Sequence, residues 1–319
     1  MSDLAFLLHG TTLALACFLI LNVCATVAIA AVSARLTNAT RVGSPGFWLA
    51  LRLCPAALSL GFVALVFLPS YWRYEPRELV EGFDVTLTAL AVLALASIGA
   101  GAVRGVLAWR ASVQRAERWL RAARPLALPG TPMPAFALDI DAPVMALVGV
   151  LRPRLLITRP VLDALTDEEL QAGVAHEVGH WRAWDNLKRL SMRAAPDLLW
   201  ATSAARAIER RWAAASEHAA DFDAGGSDRS RCALASALVK VARLTPAPTA
   251  VTEPISALVD GGDITARVQR LLDEAPPAAQ RRWTRWLALA MPVSALVLGY
   301  TPLLRLVHEV TELLVNGLP

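Results

Sequence analysis

Charged side chains are scarce in this sequence. Only 18% of its 319 residues are Asp, Glu, Lys or Arg, while 55% are hydrophobic. Soluble globular domains carry about a quarter of their residues as charged side chains. The deficit excludes an ordinary soluble domain as an account of the whole chain, and it predicts long apolar segments buried in a lipid bilayer.

Cysteine and histidine are also sparse. The chain has four Cys, at positions 17, 24, 54 and 232, and they form no Cys-x-x-Cys pair. We therefore interpret them as small hydrophobic residues rather than as disulfides or metal ligands. There are only five His, yet two of them lie four positions apart in one short motif. Because His is so rare in this chain, two His residues at this spacing are less expected to arise by chance.

A nucleic-acid-binding module is missing as well. The formal net charge is +4, but we find no basic helix and no aromatic–basic motif of the usual kinds. Much of the positive charge flanks apolar segments, where it sets the orientation of membrane helices. We therefore predict a lipid bilayer, and no nucleic acid, as a direct partner.

Four segments are long and apolar enough to cross a bilayer, which takes about 20 residues. They are residues 11–32, 47–68, 85–103 and 286 to about 304. Arg52 lies close enough to a segment end for its charge to reach the headgroups. Gly101 and Gly105 have the spacing that permits close helix packing in membranes. Ionisable residues within the segments are so few that a transporter is disfavoured.

Arginine residues predict the orientation of these segments. Six Arg residues between positions 104 and 124 follow the third segment. Arg35 and Arg41 belong to the same side of the membrane, two crossings earlier. By the positive-inside rule, both groups predict that this side is the cytoplasm.

The motif at residues 175–180 suggests metal chemistry. Residues four apart lie on one face of a helix, so His176 and His180 could both bind one zinc ion. Glu177 lies where its carboxylate could reach a water bound to that metal.

The flanking sequence predicts a small mixed domain around this motif. Thr166 and Glu169 form a capping box, and they predict a helix over residues 167–184. Short strands are predicted over residues 136–140, 144–151 and 154–158. The edge of such a sheet could align an extended peptide by strand addition. The alternative is a purely structural hairpin.

A second helix offers a third ligand. Glu217 and Asp221 share a helix face. The small Ala residues between them would let this helix approach the first one closely. Glu217 could bind the zinc, and Asp221 could accept a hydrogen bond from the free ring nitrogen of a ligating His. His218 is a rival ligand, although it points about 100° away from Glu217. Asp185 is either a helix cap or a group that orients a ligand.

These motifs resemble those of a known group of enzymes. The His-Glu-x-x-His run at 176–180 and the Glu-x-x-Ala-Asp run at 217–221 are similar to those of zinc metallopeptidases with a Glu third ligand, the gluzincins. The resemblance is strongest to their integral-membrane branch, which includes the CAAX prenyl proteases, the heat-shock membrane proteases and the β-lactam sensor-transducer/antirepressor peptidases. Residues 153–158 and 165–170 also resemble the run that precedes the zinc helix in these families.

The resemblance covers roughly residues 130–275. It also implies a role for each residue of the candidate site. It implies that His176, His180 and Glu217 bind one Zn²⁺ per chain. It implies that Glu177 is the general base and that Asp221 orients a ligating His. The sequence does not identify the residue that would stabilise the oxyanion. The candidates are two arginines that follow the third ligand, Arg229 and Arg231, and we interpret both as surface residues.

The predicted fold is a mainly α membrane protein with four transmembrane helices and a gluzincin-type α+β zinc peptidase domain that contains a small β-sheet. Residues 1–110 would form three transmembrane helices, and residues 111–284 the cytoplasmic peptidase domain. Residues 285–319 would form the fourth transmembrane helix and a short tail, which is expected to hold no extracellular sensor. The protein is expected in the plasma (inner) membrane as a multi-pass protein.

The predicted function is that of a membrane-bound zinc metalloendopeptidase, which hydrolyses a protein or peptide substrate on the cytoplasmic side. The substrate could be a transcriptional repressor in a signalling pathway. Alternatively, it could be a damaged membrane protein, as in the heat-shock proteases. A third hypothesis is a non-catalytic signalling protein whose structural zinc is closed by a fourth ligand, His218 or Asp185. Glu177 argues against this third hypothesis, because a structural zinc has no need of an acidic neighbour.

Overall fold

The computed structural model describes residues 3–37, 43–75, 84–244, 256–257, 264–273 and 300–313. Most of these residues are helical. The helices are α1 Asp3–Thr37, α2 Pro45–Phe62, a π-helical turn Val63–Phe67, α3 Leu68–Tyr74, α4 Val85–Ala122, α5 Arg159–Ala164, α6 Asp167–Ala183, α7 Asp185–Ala194, a 3₁₀ turn Leu199–Ala201, α8 Ser203–Ala224, α9 Asp228–Leu244, α10 Ile264–Asp273 and α11 over residues 300–313. The strands are β1 Ala123–Leu126, β2 Ala135–Leu138, β3 Met145–Val148, β4 Arg154–Thr158 and β5 Ser256–Ala257.

Three helical segments are long and apolar enough to cross a membrane. They are Leu4–Ser33, Pro45–Tyr74 and Val85–Ala122. The second consists of α2, the π-helical turn and α3 in direct succession. These three correspond to the first three predicted segments. The fourth predicted segment, residues 286 to about 304, lies almost entirely outside the described residues.

Helix α4 joins the apolar helices to the rest of the chain without a loop. Its 38 residues make it about 57 Å long, well beyond the roughly 30 Å of a bilayer core. The predicted boundary at residue 110 therefore falls inside one continuous helix. The C-terminal part of α4 leads directly into β1 and covers one face of the sheet, where Ala116 packs with Ala146, Val148 and Leu156.

The sheet has five described strands in the order β1-β2-β4-β3-β5. Strands β2 and β4 are parallel, and the other neighbouring pairs are antiparallel. The three predicted strands are present as β2, β3 and β4 with slightly shifted bounds. Strands β1 and β5 were not predicted: β1 contains Arg124 and Pro125 rather than an apolar run, and β5 has only two residues. β1 lies at the sheet edge, where its Pro125 is tolerated.

The second face of the sheet forms the main apolar core with α6 and α9. Leu155 and Ile157 of β4 pack there with Val178 of α6 and Leu238 of α9. Burial of each such side chain is worth about 1.5–3 kcal/mol. This core fixes α6 against the sheet, and thereby positions the motif that α6 carries.

Helices α7 and α8 pack against the apolar helices. Ile29 and Trp48 form a buried cluster with Ile208, Trp212 and Ala215 of α8. Arg52 was expected to reach the headgroups. It is instead 1% exposed and paired with two acidic residues further along the chain, because a charge within an apolar bundle requires a charged partner.

The glycine pair in α4 lies against the end of α7. A Cβ added at Gly101 would lie 2.9 Å from the carbonyl oxygen of Ala194, and one at Gly105 would lie 2.7 Å from the Cβ of Ala194. The two glycines therefore admit the end of α7 and the residues that follow it. Without the glycines, this backbone could not approach α4 so closely.

Candidate metal centre

Helix α6 begins and ends at well-defined caps. The predicted capping box is present: the Thr166 hydroxyl accepts a hydrogen bond from the Glu169 N–H, and the Glu169 carboxylate accepts one from the Thr166 N–H at 2.8 Å. The helix ends at Trp184, whose φ of 57° is left-handed. That conformation is costly for a bulky residue, and it turns the chain directly into α7.

His176, His180 and Glu217 come together at the contact between α6 and α8. The Nε2 atoms of the two imidazoles are 3.1 Å apart. The Glu217 carboxylate oxygens lie 3.5 Å from His176 Nε2 and 3.4 Å from His180 Nε2. Two nitrogens bound tetrahedrally to one zinc at about 2.0–2.1 Å would be about 3.3 Å apart. The three side chains therefore have the geometry of a metal-ligating set.

Close approach of the two helices depends on small residues. A Cβ added at Gly179 of α6 would lie only 3.2 Å from the Cα of Ala220 in α8. The small Ala residues around Glu217 were expected to permit such an approach. The structure adds that the partner on α6 is also small, a glycine one position before His180.

A carboxylate faces the outer nitrogen of each imidazole. His176 Nδ1 lies 2.9 Å from Asp221 Oδ1, and His180 Nδ1 lies 2.7 Å from Asp185 Oδ2. Such partners favour the tautomer with a proton on Nδ1, which leaves the lone pair of Nε2 directed at the metal position. Asp221, which was predicted to orient a ligating His, lies beside His176. Asp185 begins α7, and it contacts His180 through the nitrogen that faces away from the cluster.

Electrostatics around the cluster favour a cation. Burial lowers the pKa of His180, but Glu217 and Asp185 outweigh that effect and raise it to about 10. Burial raises the pKa of Glu217, but Arg267 and His180 outweigh it and hold the pKa well below its ordinary value. A site whose imidazoles attract protons and whose carboxylate stays ionised is short of positive charge.

A charge count gives the size of this deficit. Four buried carboxylates surround the two imidazoles, those of Glu177, Asp185, Glu217 and Asp221. In the part of the chain that the structure describes, two cationic side chains contact them, Arg267 and Lys188. With neutral imidazoles and ionised carboxylates, the excess negative charge is about two elementary charges, which one divalent cation would cancel. The donor set of two imidazoles and one carboxylate fits zinc.

Glu177 lies next to the cluster and is fully buried. Among the described residues, neither of its carboxylate oxygens has a hydrogen-bond partner. Burial raises its pKa to about 7, while His176 and His180 oppose the shift. A buried carboxylate without a partner is costly in an ordinary core, so its retention beside a metal-ligating set indicates a chemical role.

Arg267 is a site residue that was not predicted from the sequence. Its guanidinium contacts both oxygens of Asp221, at 2.9 and 2.6 Å, and lies 3.0 Å from Glu217. One signal could have revealed it. Helix α10 has an apolar stripe that includes Ile264, Val268 and Leu271, and Arg267 lies on that stripe rather than on the polar face. A charge on an apolar stripe predicts a buried ionic partner.

The remaining candidates lie outside the cluster. His218 is partly exposed and does not join the other two His residues. Arg229 is exposed and pairs with Glu168 at the surface. A second group of potential ligands, Glu75, His308 and Glu312, is partly exposed. Glu75 follows the end of the second apolar segment, whose 30 residues span about 45 Å.

Comparison with known families supports a metallopeptidase. The family model described as Peptidase family M48 matches residues 111–252. This range includes α6 and α8, and with them both imidazoles, Glu217, Glu177 and Asp221. No curated protein sequence matches the chain. The family match supports a zinc metallopeptidase family, and the His-His-Glu cluster could bind the metal that such enzymes require.

Proposed function

We propose that this chain is a zinc metalloendopeptidase of the membrane, with His176, His180 and Glu217 as ligands. One observation supports this above the rest: the ligand atoms of the three side chains lie within 4.8 Å of one another, beside the unpaired carboxylate of Glu177. Three protein ligands leave a coordination position open, which is the arrangement of a catalytic zinc. Zinc bound there would polarise the scissile carbonyl and acidify a water molecule.

Glu177 is the proposed general base. A general base works best when its pKa lies near the working pH, and burial raises the pKa of Glu177 to about 7. Its carboxylate would accept a proton from the attacking water and later deliver it to the leaving amine. Arg267 contributes positive charge to the same cluster, but its guanidinium is already bound to Asp221 and Glu217.

A structural zinc is the less favoured alternative. Such a site is usually closed by a fourth protein ligand. Of the two candidates, Asp185 is bound to the outer nitrogen of His180, and His218 is not part of the group. Within the described residues, the cluster therefore has three candidate ligands.

The sheet supports an endopeptidase rather than a hydrolase of small molecules. Strands β3 and β5 lie close to α6, and β5 pairs with Ala146 and Leu147 of β3. An extended substrate could add to this edge and run past the metal position. We propose an unfolded or extended protein segment as the substrate.

The first test compares Glu177→Gln with Glu168→Gln in the full chain, purified in detergent. Glu168 lies on the same helix but is exposed, so its substitution is the matched control. We expect Glu177→Gln to keep its zinc and to lose about 10²–10⁴-fold in the rate of casein or peptide cleavage. Glu168→Gln should keep both its zinc and its rate of cleavage. Wild-type cleavage by Glu177→Gln would remove the assignment of this residue as the base.

We also propose that the peptidase faces the cytoplasm from the inner membrane. The arginine distribution around the apolar segments supports this orientation. Cys232 on α9 is exposed, so it can report the sidedness in a variant that retains Cys232 alone. A membrane-impermeant maleimide should label this variant only after the cells are opened. Labelling of intact cells would reverse the proposed topology.

Two substrate classes remain as proposals: a transcriptional repressor in a signalling pathway, and damaged membrane proteins. They differ in selectivity. A quality-control protease should cleave casein and other unfolded chains at similar rates. A signalling peptidase should spare casein and cut one repressor at a single extended segment.

A further inference from the structure

The four residues that join α7 to the 3₁₀ turn before α8 are held by all three apolar helices. We call these residues, 195–198, the junction segment. Asn22 of α1 is fully buried, and its side-chain amide donates to the Pro196 carbonyl at 3.1 Å and accepts from the Leu198 N–H at 3.3 Å. Arg104 of α4 donates to the Ala195 carbonyl at 2.8 Å. A segment with this many buried partners is fixed relative to the apolar helices.

Arg52 of α2 makes the most extensive contact with this region. Its guanidinium donates to the Met192 carbonyl at 2.9 Å, to Asp197 at 3.0 Å and to Glu209 at 2.9 Å. Arg52 is 1% exposed and Asp197 is fully buried. The three acceptors lie on different elements: the last turns of α7, the junction segment and the second turn of α8. One planar side chain therefore fixes the spacing between α7 and α8.

The same two helices supply the metal centre from their other parts. Helix α7 begins with Asp185, the partner of His180, about 10 Å along the axis from Met192. Helix α8 carries Glu217 eight residues after Glu209, which is about 12 Å along its axis. Rigid helices transmit a displacement at one end to the other. A shift of the Arg52 contacts would therefore move Glu217 and Asp185 relative to α6.

From this arrangement we infer that Arg52 is a positioning residue for the metal centre. It links the placement of α2 in the membrane to the distance between Glu217 and the two imidazoles. The inference rests on the proposed function, because it concerns the regulation of the same site. A rearrangement of the apolar helices, caused by a partner or by the membrane itself, would change zinc affinity and turnover through this contact.

The test uses Arg52→Lys and Arg52→Met in the full chain in detergent, with Ser59→Ala as the control. Lys keeps the charge but cannot reach three separate acceptors. Ser59 is buried on the same helix, and its hydroxyl donates to the carbonyl of Pro55. The measurements are the zinc dissociation constant by chelator competition, and kcat and KM for a peptide substrate, each corrected for the folded fraction.

We expect both Arg52 variants to bind zinc about 3- to 30-fold more weakly, with a lower kcat and little change in KM. Ser59→Ala should keep wild-type values. If Arg52→Met fails to fold because the Asp197 carboxylate is left unpaired, Arg52→Lys decides the matter, together with the double variant Arg52→Met/Asp197→Asn.

A merely structural role would lower the melting temperature but leave zinc affinity and kcat per folded molecule unchanged, and that result would overturn the inference. It would leave the proposed function intact, provided that wild type binds zinc and Glu177→Gln is inactive. A wild-type chain that binds no zinc would instead overturn both.

Discussion

Asp185 offers a sharp test of how the imidazoles are held. It is 2% exposed, and its Oδ2 atom lies 2.7 Å from His180 Nδ1. Replacing Asp185 by Ala removes the acceptor that orients this ring. Loss of such a partner typically weakens metal binding by about 10- to 100-fold. This factor corresponds to about 1.4–2.7 kcal/mol.

Two further variants separate charge from packing. Asp185→Asn retains an oxygen that can accept a hydrogen bond from His180 Nδ1, but it loses the negative charge. We therefore expect zinc affinity to fall by about tenfold, the lower end of that range. Lys188 contacts the other oxygen of Asp185 at 3.0 Å and is partly exposed. Its replacement by Met should change zinc affinity by no more than about threefold, since the Lys188 ammonium is partly exposed and solvent weakens its pairing with Asp185.

The assay is competition for zinc against a fluorescent chelator, with thermal unfolding as a check that each variant is folded. The order of affinities should be wild type, Lys188→Met, Asp185→Asn and then Asp185→Ala. A folded Asp185→Ala protein with wild-type zinc affinity would refute the assignment of Asp185 as the partner that orients His180.

Three further outcomes follow from the described contacts. Glu169→Gln weakens hydrogen bonds, including one from Lys240 at 2.7 Å, and should lower the free energy of unfolding at pH 7 by about 1.5–3 kcal/mol. Burial raises the pKa of Glu169, but Lys240, a serine hydroxyl and a backbone N–H hold it at about 2. The stabilisation is therefore complete above about pH 4.5 and should fade toward pH 2, so unfolding curves of the two proteins should converge with acid. Gly179→Val would clash with Ala220 and should weaken zinc binding at least about tenfold. A Cβ added at Gly99 would meet nothing within 4 Å, so Gly99→Val should leave zinc binding unchanged. Chelation should lower the melting temperature, and one equivalent of zinc per chain should restore it.

Helix α6 could be predicted because the residues that determine it lie close together in the sequence. The capping box fixes where α6 begins, and the spacing of four residues fixes the common face of His176 and His180. Glu217 and Asp221 also form a local pair, so their shared face followed from helix geometry alone. The contact between the two pairs required a tertiary argument, which came from the small residues on α8.

The rest of the site is non-local, and for that reason its residues were missed or assigned differently. Arg267 reaches Asp221 across 46 residues of sequence. Arg52 reaches Glu209 across 157 residues, and a charge in an apolar segment does not by itself reveal whether its partner is a headgroup or a carboxylate. Strand β1 carries Arg124 and Pro125 rather than an apolar pattern, and β5 has only two residues. The pairing of both strands depends on their neighbours.

X-ray absorption at the zinc edge, on the full chain loaded with one equivalent of zinc, tests the central claim most directly. The account predicts a first shell of nitrogen and oxygen atoms only, at about 2.0–2.2 Å, with two imidazoles. It also predicts loss of one oxygen ligand in Glu217→Ala. A sulfur ligand, a single imidazole, or a spectrum unchanged by Glu217→Ala would contradict it.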